Sequence, residues 1–310
     1  MKTETGYFDC HTHVGIDHTA FYRMRYPAFQ SATTLVETLE RNGIANAIVF
    51  PLGNTLYYDI AAFWDGKGYI PSGQCSFPFE IENKYLLAEI EHFGYDNLYP
   101  FCCVSLKCKI EEQIEYLNSV IGNNGCYGIK LHSLSDHESI LKINDYPMLL
   151  DFISKNDLPV ICHTSIDEYS HPINVLRFAQ QHPNIRVCAA HAARFQSAFF
   201  SGIDKLFPEN LFFDISPFIN NCRRHAMYGD IIDLPYADPF DSLVSLIDRF
   251  GTHVLFATDS PCTYSGKMTT SHCEKRITYE DEISLFNKLP EDYRKLIAHD
   301  NPIRYLGTIV

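Results

Sequence analysis

The chain has 310 residues, 46% of them hydrophobic, and a formal net charge of −13. This composition is typical of a folded globular protein and argues against disorder. The acidic balance argues against nucleic acid or an anionic membrane surface as a partner, and we find no apolar run of the roughly 18 residues that a membrane-spanning helix needs.

The N-terminal segment MKTETGYFDC is polar before it enters an apolar run, which is not the pattern of a secretory signal peptide. The chain has 11 cysteines, an odd number, and none of them forms a C-x-x-C pair. We therefore expect reduced thiols that mostly lie in the core, and a cytoplasmic protein.

Short apolar runs rich in Val, Ile and Phe alternate with longer amphipathic stretches, which predicts βα units around a parallel sheet. The predicted strands, in chain order, cover 6–13, 44–51, 98–105, 126–133, 158–165, 185–191, 211–216 and 253–259. The predicted helices cover 31–42, 79–94, 110–121, 145–156, 172–182, 194–206 and 239–250, followed by a C-terminal pair over 279–288 and 290–299. Eight strands alternating with helices favour a (β/α)8 barrel, with 1–310 as a single domain.

Two segments are too long for simple βα loops: 52–78 after the second predicted strand and 217–238 after the seventh. Both leave the C-terminal ends of strands, the face on which barrels of this kind build active sites. Long loops in compact domains are usually functional, so we predict a lid or a pocket wall for each.

Polar side chains follow the apolar part of several predicted strands. His11 and His13 are two residues apart on the first strand, so both point to one face, where two imidazoles can reach one metal ion. Other candidates stand at the same end of later strands: Lys130, His132, His163, His191 and Asp259. Imidazoles and carboxylates that converge on one rim are the ligand set for a divalent ion such as zinc, manganese or iron.

These stretches resemble the amidohydrolase superfamily, most closely its amidohydrolase-related branch of metal-dependent hydrolases, lactonases and non-oxidative decarboxylases. The resemblance spans nearly the whole chain, and its motifs are DCHTHVG (9–15), GIKLHS (128–133), PVICHTS (159–165), AAHAAR (189–194), FATDSP (256–261) and HDNPIRYLG (299–307). The last motif implies a helix that closes the barrel, in which we expect Asn301 to act as a cap or turn residue.

The resemblance implies roles by position. The implied metal ligands are His11, His13, His163, Asp259, Lys130 and His191. Asp259 also accepts a proton from the attacking water. His191 is an acid/base or orients substrate in one-metal members, and is a ligand in two-metal members. Lys130 matches the lysine that carries a bridging carbamate in two-metal members; with one metal it stays cationic and is free to hold a substrate carboxylate.

The implied cofactor is one or two divalent ions per chain, with Zn²⁺ first and Mn²⁺ or Fe²⁺ as alternatives. A bound ion acidifies water, and Asp259 serves as general base and then acid, which predicts hydrolysis of an amide, ester or lactone. A decarboxylase or hydratase with the same ligands is one alternative. A barrel that binds metal or ligand without turnover is another, and the intact Asp259 counts against it.

His132 and Arg194 are the candidate substrate-binding residues, because both follow strand ends and an arginine can hold a carboxylate through two parallel hydrogen bonds. The expected partner is a small-molecule substrate, whose identity the two long loops would determine. A homodimer is the default expectation for a soluble enzyme.

The remaining polar residues near strand ends have weaker indications. Asp9 is expected to support its strand rather than bind metal. Asp214 and Ser216 share one face of the seventh predicted strand and are pocket candidates. We expect no second metal site at His272 and Cys273.

Overall fold

The computed structural model describes residues 6–18, 29–52, 55–121, 125–206, 208–263 and 277–307. The strands are β1 (Phe8–Ile16), β2 (Phe29–Gln30), β3 (Asn46–Pro51), β4 (Leu98–Val104), β5 (Gly128–Leu131), β6 (Val160–Cys162), β7 (Val187–Ala189), β8 (Leu211–Asp214) and β9 (Val254–Leu255). They form one sheet in the order β2-β1-β3-β4-β5-β6-β7-β8-β9. Only β2 is antiparallel to its neighbour; each of the other pairings is parallel.

The sheet curls so that its last strand returns to its first. The residues after β9 bond to β1 through three backbone hydrogen bonds, from Cys10 N to Phe256 O (2.9 Å), from Asp259 N to His11 O (2.8 Å) and from His13 N to Ser260 O (2.7 Å). This architecture is consistent with a distorted (β/α)8 barrel. The seam joins the stretch that carries the histidine pair to the stretch that carries Asp259.

Helices follow most of the strands. They are α1 (Ala32–Arg41), α2 (Ile60–Trp64), α3 (Glu80–Phe93), α4 (Ile110–Val120), α5 (Ser133–Asp136), α6 (Pro147–Lys155), α7 (Pro172–Gln181), α8 (Ser197–Leu206), α9 (Phe218–Arg224), α10 (Pro239–Phe250), α11 (Tyr279–Asn287), α12 (Glu291–Lys295) and α13 (Asn301–Leu306). Side-chain caps explain several starts, because they satisfy backbone N–H groups that lack helical partners. Ser31 caps α1, Asp238 caps α10, and Thr278 with Asp281 forms a capping box on α11.

The alternating faces of the strands divide the core into two layers. Val49 of β3 packs with the helices, whereas its neighbours Ile48 and Phe50 belong to a separate cluster on the opposite, inner face. Tyr305 and Leu306 of α13 join that inner cluster. The C-terminal helix therefore closes the barrel, as its motif implied.

Asn301 contributes to this closure from the start of α13. Its side-chain amide donates to the backbone oxygens of Gly251 and Val254, each at 2.7 Å. It thus ties the helix to the start of β9, a more specific role than the expected cap or turn.

The structure differs from the predicted elements in several places. The predicted strand 253–259 is regular only over Val254–Leu255, and the predicted helix 194–206 begins at Ser197. The predicted helix 290–299 is α-helical only over Glu291–Lys295 and continues as a π-helical turn over Leu296–Asp300. The two long segments contain short helices, α2 in the first and α9 in the second.

The described cysteines are free and mostly buried, in agreement with their expected place in the core. His272 and Cys273 lie outside the described residues. Among the helices of the described segments, none combines the length and hydrophobicity that a bilayer span requires.

Glu282 of α11 is a buried carboxyl outside the strand-end residues. Its Oε1 accepts a hydrogen bond from Ile219 N at 3.0 Å, and burial raises its pKa to about 8. A carboxyl whose folded pKa is raised favours the folded state while it is protonated, and that contribution is lost as pH rises from its unfolded pKa towards the folded one. Glu282→Gln removes the charge and keeps the acceptor.

We therefore expect the E282Q chain to gain about 4 kcal/mol over the wild type between pH 5 and pH 9, because this range covers about three of the pKa units of the shift and each corresponds to about 1.4 kcal/mol. Chemical denaturation across that pH range measures the difference. The exposed Glu280 of the same helix provides the matched control, Glu280→Gln, which should run parallel to the wild type. A wild-type stability that rises with pH relative to E282Q would contradict the expectation.

Candidate active site

The two histidines of β1 are held in fixed orientations by their Nδ1 atoms. His11 Nδ1 lies 2.9 Å from Asp214 Oδ2, and His13 Nδ1 lies 3.1 Å from the carbonyl oxygen of Pro51. A carbonyl oxygen only accepts, so His13 carries its proton on Nδ1, and the Asp214 carboxylate favours the same tautomer for His11. Both imidazoles then offer their Nε2 lone pairs to the site.

Asp259 faces these two nitrogens. Its Oδ1 is 3.4 Å from His11 Nε2 and 3.2 Å from His13 Nε2. The residue has a left-handed backbone (φ 65°), a conformation that costs free energy in a non-glycine residue and is often found at functional sites. The backbone bond from Asp259 N to His11 O holds it against β1.

The ligand atoms of two overlapping trios lie within 4.8 Å of one another: His11 with His13 and Asp259, and His11 with His191 and Asp214. In the second trio, however, the Asp214 carboxylate is already saturated by hydrogen bonds. Oδ1 accepts from Ser216 Oγ (2.6 Å), Ser216 N (3.0 Å) and His191 N (3.1 Å), while Oδ2 faces His11 Nδ1. The first trio is therefore the better ion site, and Asp214 is better suited to orienting His11.

His163 and His191 form a chain of imidazoles beside this trio. His191 Nδ1 lies 2.9 Å from the carbonyl oxygen of Ser216, so it carries the proton and donates. His191 Nε2 then accepts from His163 Nδ1 at 2.9 Å, which leaves the Nε2 lone pair of His163 unprotonated. Burial lowers the pKa values of His11, His163 and His191 well below the usual range, so all three are neutral, as metal ligation requires.

Lys130 contacts His11 of the first trio. Its Nζ is 3.3 Å from His11 Nε2 and 4.6 Å from the centroid of the Phe50 ring, and burial lowers the pKa of its ammonium group. An ion held by His11 would take the lone pair that Lys130 contacts in this structure. The position fits either implied role, a carbamate bridge or a cation for a substrate carboxylate.

Comparison with known proteins identifies the family of the chain. A sequence profile described as amidohydrolase matches residues 74–308, about three quarters of the chain. The chain belongs to the amidohydrolase family. A search of curated proteins gave no significant match.

Solved structures of similar fold extend the comparison. A probable 2-pyrone-4,6-dicarboxylic acid hydrolase of Acinetobacter baumannii is 16% identical (TM-score 0.60) and covers 98% of this chain and 100% of that one. A zinc-bound amidohydrolase of Burkholderia multivorans is 14% identical (TM-score 0.63, 97% and 99% covered). A 2,6-dihydroxybenzoate decarboxylase from Rhizobium is 13% identical (TM-score 0.62, 97% and 98% covered). At these identities the neighbours establish the fold, and they include both hydrolases and a decarboxylase.

The structure does not bring every predicted site residue of this amidohydrolase into one trio. His11, His13 and Asp259 form it. Lys130 contacts His11, whereas His163 belongs to neither trio and bonds to His191. Sequence reasoning undervalued Asp214, the residue that orients His11 and binds the His191 backbone. A carboxylate directly after the apolar run LFF was the available signal, but its partner His11 is 203 positions away.

Asp9 stabilises the seam between β1 and the residues after β9. Its carboxylate accepts from Thr258 Oγ1 (2.7 Å), Thr258 N (3.0 Å) and His11 N (3.3 Å), so it links β1 to the residue before Asp259. Burial raises the pKa of Asp9 to about 7. These contacts agree with the expected supporting role.

Arg194 lies in an unusual turn of this amidohydrolase. The five residues His191 to Phe195 all have left-handed φ angles, between 44° and 62°. For L-residues this costs roughly 1–2 kcal/mol each, so the surrounding contacts must impose it. The Arg194 side chain supplies several of these: Nε donates to Thr164 O (3.0 Å) and Nη1 donates to Asn221 Oδ1 (2.8 Å). Substrate binding by Arg194 stays a prediction, and its contacts favour a structural role.

Arg194→Met distinguishes these roles. If the guanidinium holds the turn, the variant should lose up to about 100-fold in kcat with little change in KM, because His191 shifts from its productive position. Steady-state kinetics measures both constants, and Arg177→Met on the exposed face of α7 is the matched control. A raised KM for anionic substrates alone, at unchanged kcat, would assign Arg194 to the substrate instead.

His132 lines a cavity of about 730 Å³. The His132 ring stacks on the His163 ring with centroids 4.3 Å apart. Tyr58, Phe63 and Tyr69, from the first of the two long segments, line this cavity. That segment's function as a lid or pocket wall remains a prediction.

Proposed function

We propose that this amidohydrolase is a metal-dependent hydrolase that cleaves an amide, ester or lactone bond in a small molecule. One observation carries the proposal: a buried carboxylate, Asp259, faces the Nε2 atoms of both His11 and His13 at 3.2–3.4 Å. Without a cation, the Nε2 lone pair of His13 would meet only the Asp259 carboxylate, which cannot donate, and that of His11 would meet this carboxylate and Lys130 Nζ. A divalent ion between them gives all three groups a partner.

The donor set fits such an ion. Two neutral imidazoles and a carboxylate are ligands suited to Zn²⁺, which we expect first, and to Mn²⁺ or Fe²⁺. His163 is the next available ligand, because its Nε2 lone pair is unprotonated. When bound, the ion would acidify a water molecule and polarise a carbonyl group.

The chain's own groups then move the proton. Asp259 accepts it from the attacking water and delivers it to the leaving group, as general base and then general acid. His191 has both ring nitrogens engaged, by Ser216 O and His163 Nδ1, which favours an orienting role over proton transfer. Asp214 keeps His11 in its ligating tautomer.

Non-oxidative decarboxylation is the second candidate, and Lys130 favours it. A buried ammonium 3.3 Å from His11 is well placed to hold the carboxylate that such a reaction removes. The Rhizobium neighbour is itself a decarboxylase.

One experiment separates the two reactions. The zinc-loaded chain is incubated with panels of esters, lactones and amides and with aromatic and unsaturated acids, while product formation and CO2 release are followed. Cleavage of an ester, lactone or amide without CO2 release supports the hydrolase. CO2 release from an acid, with no cleavage of the esters, lactones or amides, assigns a lyase. No turnover in either panel, on protein with bound metal, would favour a barrel that binds without catalysis.

A further inference from the structure

The cavity beside His132 is the strongest unassigned feature of the chain. His132 lines the cavity and its ring stacks on the His163 ring, so His132 links the cavity to the imidazoles of the proposed reaction site. Its volume of about 730 Å³ falls within the range of small-molecule pockets. A substrate that reacts at Asp259 and reaches past His132 would place its other end in this space.

Aromatic rings make up much of the cavity wall. Tyr69 packs edge-to-face on Tyr58 (centroids 5.0 Å apart, 77°) and on His137 (5.5 Å, 81°), and it packs against Phe63 at 5.2 Å. Leu134 of α5 also lines the cavity and is 38% exposed, a large apolar side chain for which the protein provides little cover. Rings in such tilted arrangements offer both faces and edges to a further ring.

The wall is also fixed before a ligand binds. The Tyr69 hydroxyl donates to the carbonyl oxygen of Ser135 at 2.7 Å, and Lys107 Nζ lies 4.0 Å from the centroid of its ring. These contacts anchor the ring to α5 at one end and to the residues after β4 on one face. A preorganised wall loses little conformational entropy on binding, which increases its selectivity.

The charge of the lining is equally informative. Among the described residues that line the cavity, none is a lysine or an arginine. Its carboxyl, Asp136, is buried and bonded to Leu106 N at 3.2 Å. The lining therefore offers an anionic substituent no lysine or arginine, and Lys107, which contacts the Tyr69 ring, is paired with Glu138 at 3.7 Å.

We propose that this cavity binds the non-reacting part of the substrate, and that this part is an uncharged aromatic group. The inference rests on the hydrolase function proposed above. It assigns Tyr69 and Phe63 as residues that determine specificity.

Matched esters test the proposal. Ethyl 3-phenylpropanoate and ethyl 3-cyclohexylpropanoate share the reacting group and differ only in a remote ring. The ratio of their kcat/KM values therefore measures the preference of the cavity wall for an aromatic ring. We expect the phenyl ester to be favoured about tenfold. Tyr69→Leu and, as a second variant, Phe63→Leu should reduce that ratio towards one, whereas the control Phe93→Leu, on an exposed ring of α3, should keep it.

Binding measurements separate this inference from the proposed reaction. Calorimetric titration of the zinc-loaded chain with 3-phenylpropan-1-ol and 3-cyclohexylpropan-1-ol needs no turnover. A phenyl preference that disappears in either variant supports the cavity assignment, even if no ester is cleaved. Equal affinities, a preference retained in both variants, or tighter binding of a 4-carboxyphenyl analogue would overturn it.

Discussion

Replacing Asp259 with asparagine is expected to lower kcat by about 100- to 10,000-fold at saturating metal. Asparagine keeps an oxygen near the Nε2 atoms of His11 and His13, but it cannot take a proton from water. The loss should therefore appear in kcat on whichever ester or lactone the wild type cleaves best, with metal content measured on the same sample by elemental analysis.

Asp151→Asn is the matched control for this experiment. Asp151 is an exposed aspartate on α6, and its substitution removes the same charge from the surface. Wild-type turnover by D259N within a factor of about five, with metal bound, would exclude Asp259 as the proton acceptor. A D259N protein without metal would show that the carboxylate is needed as a ligand first.

The order of strands and helices could be read from the sequence because burial imposes periodic patterns. Apolar runs such as NAIVFP of β3 are buried on both faces, and amphipathic stretches such as 172–182 became α7 with a shift of one residue. Local patterns fail where tertiary contacts override them. The Ala-Ala-Arg sequence after His191 favours a right-handed helix, yet the Arg194 and Asp214 contacts hold it left-handed.

The candidate site was predictable in its residue types and less so in its connections. His11 and His13 lie within β1 and Asp259 follows β9, and the backbone bond from Asp259 N to His11 O brings them together. The role of Asp214 depends on a contact across 203 positions, and no local pattern encodes it. The tautomers follow only from which carbonyl oxygen each ring reaches, which requires coordinates.

Metal stoichiometry distinguishes the remaining versions of this site, and the sharpest variant is His11→Ala. His11 belongs to both possible trios, so its loss should reduce bound metal from one or two ions per chain to below about a tenth of an ion. His13 belongs to one trio only. Asp214→Asn should weaken metal affinity by about 10- to 100-fold, as expected for a group that orients a ligand. Exposed His92→Ala on α3 is the matched control.

The number of metal ions bound per wild-type chain determines the role of Lys130. About one ion per chain leaves its ammonium free to hold a substrate carboxylate. About two ions per chain require a further bridging ligand, which a carbamate on Lys130 would provide, and Lys130→Met should then cost one ion. An H11A protein that retains its full metal content would place the ion elsewhere and overturn the mechanism, because the Asp259 carboxylate would then face two imidazoles with no cation between them.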